Sequence, residues 1–321
     1  MQILVTGGAG FIGSHLCERL VKDGHMVTVL DNFSTGRASN LVGLENVPSF
    51  DLVKGSILEL ETLNQLVKKA DFVFHLAAAV GVFNIVNNPL ASLLTNIRGT
   101  ENVLEAAHSF NKPVFLTSSS EVYGKNISDS LKESDDRILG SPVTLRWSYS
   151  EAKAIDESLA YAYYIEKQLE TRIVRFFNTV GPRQLGAYGM VVPRFVMSAL
   201  LNEPITIYGD GNQTRCFAHV HDVIDAVIAI AFANNTIGKV INIGNDFEIS
   251  FNALAQKIIE ETNSKSEIVY VPYEEAYGDG FEDMERRVPS IELINQLVGW
   301  KPKRNLSTII ADIAAEMEKS L

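Results

Sequence analysis

Short apolar runs alternate with longer amphipathic stretches through the first half of the chain. Ile3–Thr6, Val27–Leu30, Leu52–Lys54, Phe72–Leu76, Val114–Thr117 and Arg172–Phe176 are brief and mostly rich in β-branched and aromatic residues, and they read as strands. Helical periodicity lies between most of them. Strands that alternate with helices are βαβ units, whose right-handed crossovers cover both faces of a parallel sheet. The pattern predicts an α/β chain built on a Rossmann-type doubly wound sheet. After Phe177 the texture changes, because 178-NTVGPRQLGAYG-189 and 208-YGDGNQTRCF-217 are rich in glycine and turn residues. A first domain over 1–178 and a smaller C-terminal α/β lobe over 179–321 are therefore expected. The apolar 221-HDVIDAVIAIAFA-233 and the strand-like Val240–Ile243 imply that the chain returns to the first domain at about 219–245.

Composition narrows the function classes. With 46% hydrophobic and 21% charged residues over 321 positions, the chain has an ordinary globular make-up and gives no basis for intrinsic disorder. Lys and Arg total 28 against 39 Asp and Glu, a net charge of −11, and no basic run could track a phosphate backbone. Nucleic acid is not an expected partner. The opening MQILVTGG leads directly into a strand and no apolar run is long enough to span a membrane, so a cytoplasmic protein without a membrane partner is expected. Cys17 and Cys216 belong to no metal-binding spacing and read as reduced packing residues. No metal is expected.

Candidate chemistry begins at 7-GGAGFIG-13. Gly7, Gly10 and Gly13 follow a strand and open a helix, where glycine allows a tight turn and lets backbone N–H groups approach a pyrophosphate. A plain βα turn is the alternative. The second strand ends in Asp31, where a carboxylate can accept hydrogen bonds from both hydroxyls of an adenosine ribose. That favours NAD. Arg37, in the following loop, could meet the additional phosphate of NADP, but Asp31 would repel the same group.

The pattern Tyr-x-x-x-Lys occurs twice, at Tyr149/Lys153 and Tyr163/Lys167. A phenol ionises near pH 10, so it acts as a base at neutral pH only beside a cation, and a lysine one turn later supplies one. In doubly wound sheets the ligand crevice lies outside the carboxyl ends of the strands, where each following helix starts. Tyr149 is near its helix start, whereas Tyr163 would be about 20 Å further along. Tyr149/Lys153 is the candidate pair, and Tyr163/Lys167 reads as a packed aromatic beside a solvated lysine. Upstream, 114-VFLTSSSEVYG-124 brings Ser120, able to bond a sugar hydroxyl or its ketone, and Glu121, able to move a proton. A serine-rich strand end that caps a turn is the bland alternative.

Together these residues resemble the extended short-chain dehydrogenase/reductases, the NAD-dependent nucleotide-sugar epimerase/dehydratase family. The likeness runs through 7-GGAGFIG-13, Asp31, 75-HLAA-78, 96-NIRGTENVLEAA-107, 118-SSSEVYG-124, 149-YSEAK-153, 175-RFFNTVGPR-183, 210-DGNQTRCF-217 and 286-RRVPSI-291. It implies NAD held by Gly7, Gly10, Phe11, Ile12, Gly13, Asp31, Asn32, Ser56, Ile57, Leu76, Ala77, Ala78, Asn96, Tyr149 and Lys153. Ser56 departs from the aspartate frequent at its position in the family, which weakens the expected adenine contact. The resemblance further implies that Tyr149 takes a proton from a sugar hydroxyl, usually at C4, while Lys153 anchors the nicotinamide ribose and depresses the tyrosine's pKa. Ser120 shares the hydrogen bond to the reacting oxygen. Asn178, Arg215 and Arg287 match positions that hold the substrate diphosphate, and Val192 and Tyr208 are further expected substrate contacts. A homodimer joined through helices at Leu90–Phe110 and Tyr149–Lys167 is a family expectation.

Three reactions compete after oxidation. A UDP-sugar 4-epimerase is the first expectation, because no arginine stands out as dedicated to a uronate carboxylate: Arg183 and Arg287 also fit diphosphate roles. A UDP-glucuronate decarboxylase using Glu121 and Ser120 is the alternative, since 118-SSSEVYG-124, 146-RWSY-149, 214-TRCF-217 and 286-RRVPSI-291 are similar to those enzymes. A 4,6-dehydratase is disfavoured, because Ser120 stands where those enzymes usually carry an aspartic acid. A non-catalytic NAD-binding module is the reading from another class, and the complete Ser120/Tyr149/Lys153 set argues against it. Selectivity for the sugar is expected to reside in Val80–Asn84, Tyr188–Val192 and Tyr277–Gly280.

Overall fold

The structure is a computed structural model that describes residues 1–80, 88–186, 190–272, 275, 284, 286–319 and 321. In chain order it contains β1 (Gln2–Thr6), α1 (Phe11–Lys22), β2 (Met26–Asp31), β3 (Phe50–Lys54), α2 (Leu60–Lys69), β4 (Phe72–His75), α3 (Pro89–Ser109), β5 (Val114–Ser119), α4 (Ser148–Lys167) and β6 (Thr171–Phe176). There follow β7 (Thr179–Val180), α5 (Val191–Leu200), β8 (Ile205–Tyr208), β9 (Thr214–Cys216), β10 (Ala218–His219), α6 (Val220–Ala231) and β11 (Val240–Ile243). The chain closes with β12 (Glu248–Ser250), α7 (Phe251–Glu261), β13 (Ile268–Val271), α8 (Glu292–Val298) and α9 (Leu306–Glu318).

Seven strands form one sheet in the order β11-β6-β5-β4-β1-β2-β3, and every pairing is parallel. Period-two alternation sends neighbouring side chains to opposite faces, so both faces must be covered. Ile3, Val5, Phe72, Phe74, Phe115 and Val174 enter one core, against α1 and α6. Leu4, Val73, Val114, Leu116 and Ile173 enter the other, against α2, α3 and α4. The chain reverses direction across the sheet between β1 and β4. Strand carboxyl ends open there into a crevice.

β11 pairs with β6 in parallel, and α6 packs on the face that carries α1. The later segment α8 also joins this face through Ile294, as does Trp300 just after it, so residues near 290–300 pack on the sheet rather than on the lobe expected to hold them. Burial of these apolar side chains overrides the simple division at 178. A separate core of Val192, Phe195, Ile207, Leu254, Ile258, Ile309 and Ile310 holds the lobe together. Cys17 and Cys216 are buried free thiols. Among the described residues no helix is long and apolar enough to cross a membrane, and no cluster could hold a metal ion.

Candidate active site

A cavity of about 520 Å³ runs along the strand ends. All residues expected to do chemistry or to contact cofactor or substrate line it except Asn96. Asn96 instead stands behind the wall, where its side chain accepts from Ala79 N–H at 2.7 Å and donates to Ala79 O at 3.2 Å. Its amide bonds the backbone of Ala79, so it shapes the wall and is not among the residues that line the cavity. Residues 81–84, 188–189 and 277–280 of the expected selectivity segments lie outside the described residues.

One end of the cavity fits a dinucleotide. Gly7 has φ +74°, and a Cβ there would lie 2.6 Å from Ala77 N. A Cβ on Gly13 would overlap the Gly7 carbonyl oxygen. Helix α1 therefore starts close against the sheet, and its N-terminus carries no side-chain cap. Uncapped N–H groups at a helix start suit a pyrophosphate. Asp31 is fixed at the wall because its oxygens accept Ala9 N–H at 2.9 Å and Phe33 N–H at 2.8 Å. Each oxygen keeps a lone pair for a ribose hydroxyl. Ser56 Oγ accepts Leu58 N–H at 3.2 Å and retains its own proton. Arg183 reaches the first turns of α1, bonding Ser14 Oγ at 3.1 Å and Glu18 at 2.5 Å.

The other end gathers the reactive groups. Tyr149 stands in the first turn of α4, half-buried, and lines the cavity with Lys153. Lys153 Nζ donates to Thr117 O and to Asp156 Oδ2, both at 3.1 Å. Burial pushes the Tyr149 phenol well above its ordinary range, and the charges of Glu121 and Asp156 push it the same way. In this arrangement Lys153 is paired with Asp156. Tyr163 packs partly buried with its ring 6.0 Å from His108, and Lys167 is exposed, both far along the helix from the cavity.

Ser119 caps the 3₁₀ turn Ser120–Tyr123 by accepting Glu121 N–H at 3.2 Å, which projects Ser120 and Glu121 into the cavity. Glu121 is gripped on both oxygens, by Arg146 Nη1 at 2.6 Å and by Arg287 Nη1 at 2.8 Å. Arg287 Nη1 also lies 3.4 Å from Ser120 Oγ. Burial alone would raise the Glu121 carboxyl, but Arg287 and Arg146 hold it far below the usual carboxylate range. It stays ionised. Arg287, expected at a diphosphate, thus stands beside Glu121 and Ser120, and its buried Nε has no hydrogen-bond partner among the described residues.

Arg215 and Tyr208 line the far side of the cavity, with Arg194 stacked 4.3 Å above the Tyr208 ring. Val192 is fully buried at the start of α5, and Asn178 donates to Cys216 O at 3.0 Å. Sequence reasoning assigned no role to Arg146 or Arg194. Arg146 carried a readable signal, being three residues before Tyr149 and hence on its side of the turn that leads into α4. Arg194 carried none, because its ring partner is distant in sequence.

Such a site, with a dinucleotide cradle at one end and a Tyr–Lys pair beside a clamped carboxylate at the other, belongs to enzymes that oxidise a hydroxyl transiently. Residues 4–313 match the family described as GDP-mannose 4,6 dehydratase, and the chain belongs to that family, within the extended short-chain dehydrogenase/reductases that include NAD-dependent nucleotide-sugar epimerases and dehydratases. It is 43% identical over 305 residues to a UDP-N-acetyl-alpha-D-glucosaminuronate decarboxylase of Bacillus cytotoxicus, covering 94% of this chain and 92% of that protein. UDP-glucuronic acid decarboxylase 1 of Xenopus tropicalis is 37% identical over 306 residues, covering 94% and 68%. Among solved structures, a UDP-glucuronic acid 4-epimerase from Bacillus cereus, in complex with UDP-glucuronic acid and NAD, superposes with a TM-score of 0.90. Its sequence identity is 28%, with full coverage of both chains.

Proposed function

We propose that the protein is an NAD-dependent UDP-uronate decarboxylase, with UDP-N-acetylglucosaminuronate as its first candidate substrate and UDP-glucuronate as its second. The observation that carries this reading is Glu121, held ionised between Arg146 and Arg287 beside Ser120. A 4-epimerase, the first expectation from the sequence, has no acid–base work at C5 and gives such a group no task. The decarboxylases at 43% and 37% identity support the same choice, and the first of them guides the order of substrates.

Bound NAD supplies a hydride acceptor for C4 at the start and a hydride donor at the end. Tyr149 takes the proton from the C4 hydroxyl and Ser120 bonds the oxygen that becomes a ketone. The C5–C6 bond then breaks, carbon dioxide leaves, and its electron pair moves into an enolate that Tyr149 and Ser120 hold at oxygen. C5 next accepts a proton from a water that Glu121 and Arg287 orient, the hydroxide left behind takes a proton from solvent so that one proton is consumed for each carbon dioxide released, and Tyr149 returns its proton to O4 as C4 is reduced. The ionised Glu121 also disfavours the substrate carboxylate beside it, a strain relieved when that charge departs.

Epimerisation of a uronate at C4 is the second reading, favoured by the solved epimerase with UDP-glucuronic acid. Trapping released carbon dioxide from each UDP-uronate tests the choice. Decarboxylation predicts stoichiometric gas, lost by more than about 100-fold in Glu121→Gln. A 4-epimer without gas would overturn it.

A homodimer through α3 and α4 is part of this proposal. Leu90 on α3, and Tyr161 with Ile165 one turn apart on α4, are exposed apolar side chains on helices that pack together. Light scattering would report a monomer for Ile165→Glu.

A further inference from the structure

The reaction just described gives no task to the buried charge nearest its reactive pair on α4. Asp156 lies one turn beyond Lys153 on α4, and neither side chain is more than 3% exposed. Two of the three Nζ protons of Lys153 go to Asp156 and to Thr117 O, which leaves one for the cavity. We propose that Asp156 sets the charge of the reaction centre: by pairing with Lys153 it offsets the ammonium and keeps the Tyr149 phenol protonated until ligands arrive. This inference rests on Tyr149 being the base of the proposed reaction.

A buried ion pair is a poor device for stability alone, because well-packed apolar residues do the same at no desolvation cost. Its place, two turns along the helix from the base and in direct contact with the lysine that lies between them, is what gives it a chemical consequence. The surrounding groups are otherwise balanced. On β4, His75 is held neutral by burial and by Lys153, and its ring bonds Thr6 Oγ1 at 2.7 Å and Thr100 Oγ1 at 3.1 Å. On α3, Thr100 stands beside Asp156. Further along α4, Glu157 is tied to Arg175 of β6 and to Ser118 of β5. At the end of β5, Glu121 is tied to Arg146 and Arg287. Lys153 and Asp156 are the remaining charged pair, and removing the negative member exposes the phenol to an unmatched cation. The raised phenol, to which Asp156 contributes, agrees with this direction.

The test is Asp156→Asn, which keeps the shape and the hydrogen bond but not the charge, with Asp156→Ser as a second variant should the first fold poorly. The phenol is read directly by absorbance near 295 nm during alkaline titration without cofactor or substrate. Subtracting the same protein with Tyr149→Phe isolates the residue. The expected result is a midpoint about one pH unit or more lower in Asp156→Asn, restored by Asp156→Glu. The rising limb of kcat/KM against pH moves the same way. An unshifted or raised midpoint would overturn the proposal, and a fall in melting temperature with no change in either titration would make Asp156 a structural residue only. Because the absorbance titration needs no substrate, it reads out even if the proposed reaction is wrong.

Discussion

Arg146→Ala is the perturbation that bears most on the clamped carboxylate. Arg146 Nη1 holds Glu121 Oε2 at 2.6 Å while Arg287 Nη1 holds Oε1 at 2.8 Å, so each oxygen depends on a different arginine. The three side chains are 9%, 17% and 6% exposed, too sheltered for the heavy screening of a surface pair. A hydrogen bond between charged groups in such a setting contributes about 1.5–3 kcal/mol. If that energy orients Glu121 in the transition state, its loss lowers kcat by roughly 10- to 150-fold. The pH dependence has a definite sign. Glu121 is kept ionised to unusually low pH by Arg287 and Arg146, so losing one of them raises its pKa, and activity falls away on the acid side at higher pH than in the parent. Steady-state carbon dioxide release from pH 5 to 9, with melting curves as a folding control, measures both effects. A variant that folds, keeps the parental kcat and shows the same acid limb would refute the assignment of Glu121 and Arg146 to the reaction centre.

Tyr149→Phe is expected to reduce turnover by about 10²- to 10⁴-fold, whereas Tyr163→Phe and Lys167→Ala should stay within about twofold of the parent. Equal losses at both tyrosines would contradict the choice between the two motifs. Gly13→Ala places a methyl against the Gly7 carbonyl oxygen and should weaken dinucleotide binding by on the order of 100-fold, about 2.7 kcal/mol by titration calorimetry. Unchanged affinity would mean that the turn is not the pyrophosphate site. Burial lowers His15 from 6.5 to about 4, so the unfolded chain takes up this proton first as pH falls. The stability that neutral His15 contributes is complete above pH 6.5 and is lost progressively between pH 6.5 and 4, by about 3 kcal/mol at most. His15→Gln should flatten that part of a melting-temperature profile, and an unaltered slope would contradict the assignment.

The doubly wound sheet was legible because each strand carries a short run of apolar residues and each crossover a helical period. The cofactor end was legible for a related reason: Gly7, Gly10, Gly13 and Asp31 act through local backbone geometry, which sequence spacing reflects directly. The reacting end was only partly legible. Tyr149 could be chosen over Tyr163 from position along a helix, yet the state of its phenol depends on burial and on the charges of Glu121 and Asp156, and no pattern assigned Asp156. The clamp on Glu121 joins residues 25 positions apart and 166 apart, and the longer pairing appears only once the backbone around Val288–Ser290 bonds to Leu131, in the connection that follows β5. That is why Arg287 was expected at a diphosphate and why the epimerase reading came first. Asn96 failed for a smaller reason: its motif marks the neighbourhood, but the competing backbone of Ala79 claims its side chain.

The most direct measurement is NMR of the purified protein with NAD and each UDP-uronate in heavy water. Decarboxylation through a C4 ketone predicts a UDP-linked pentose that carries one solvent deuterium at C5 and forms together with carbon dioxide. A hexuronate inverted at C4, with its carboxylate retained and no deuterium at C5, would contradict the account and make the protein an epimerase.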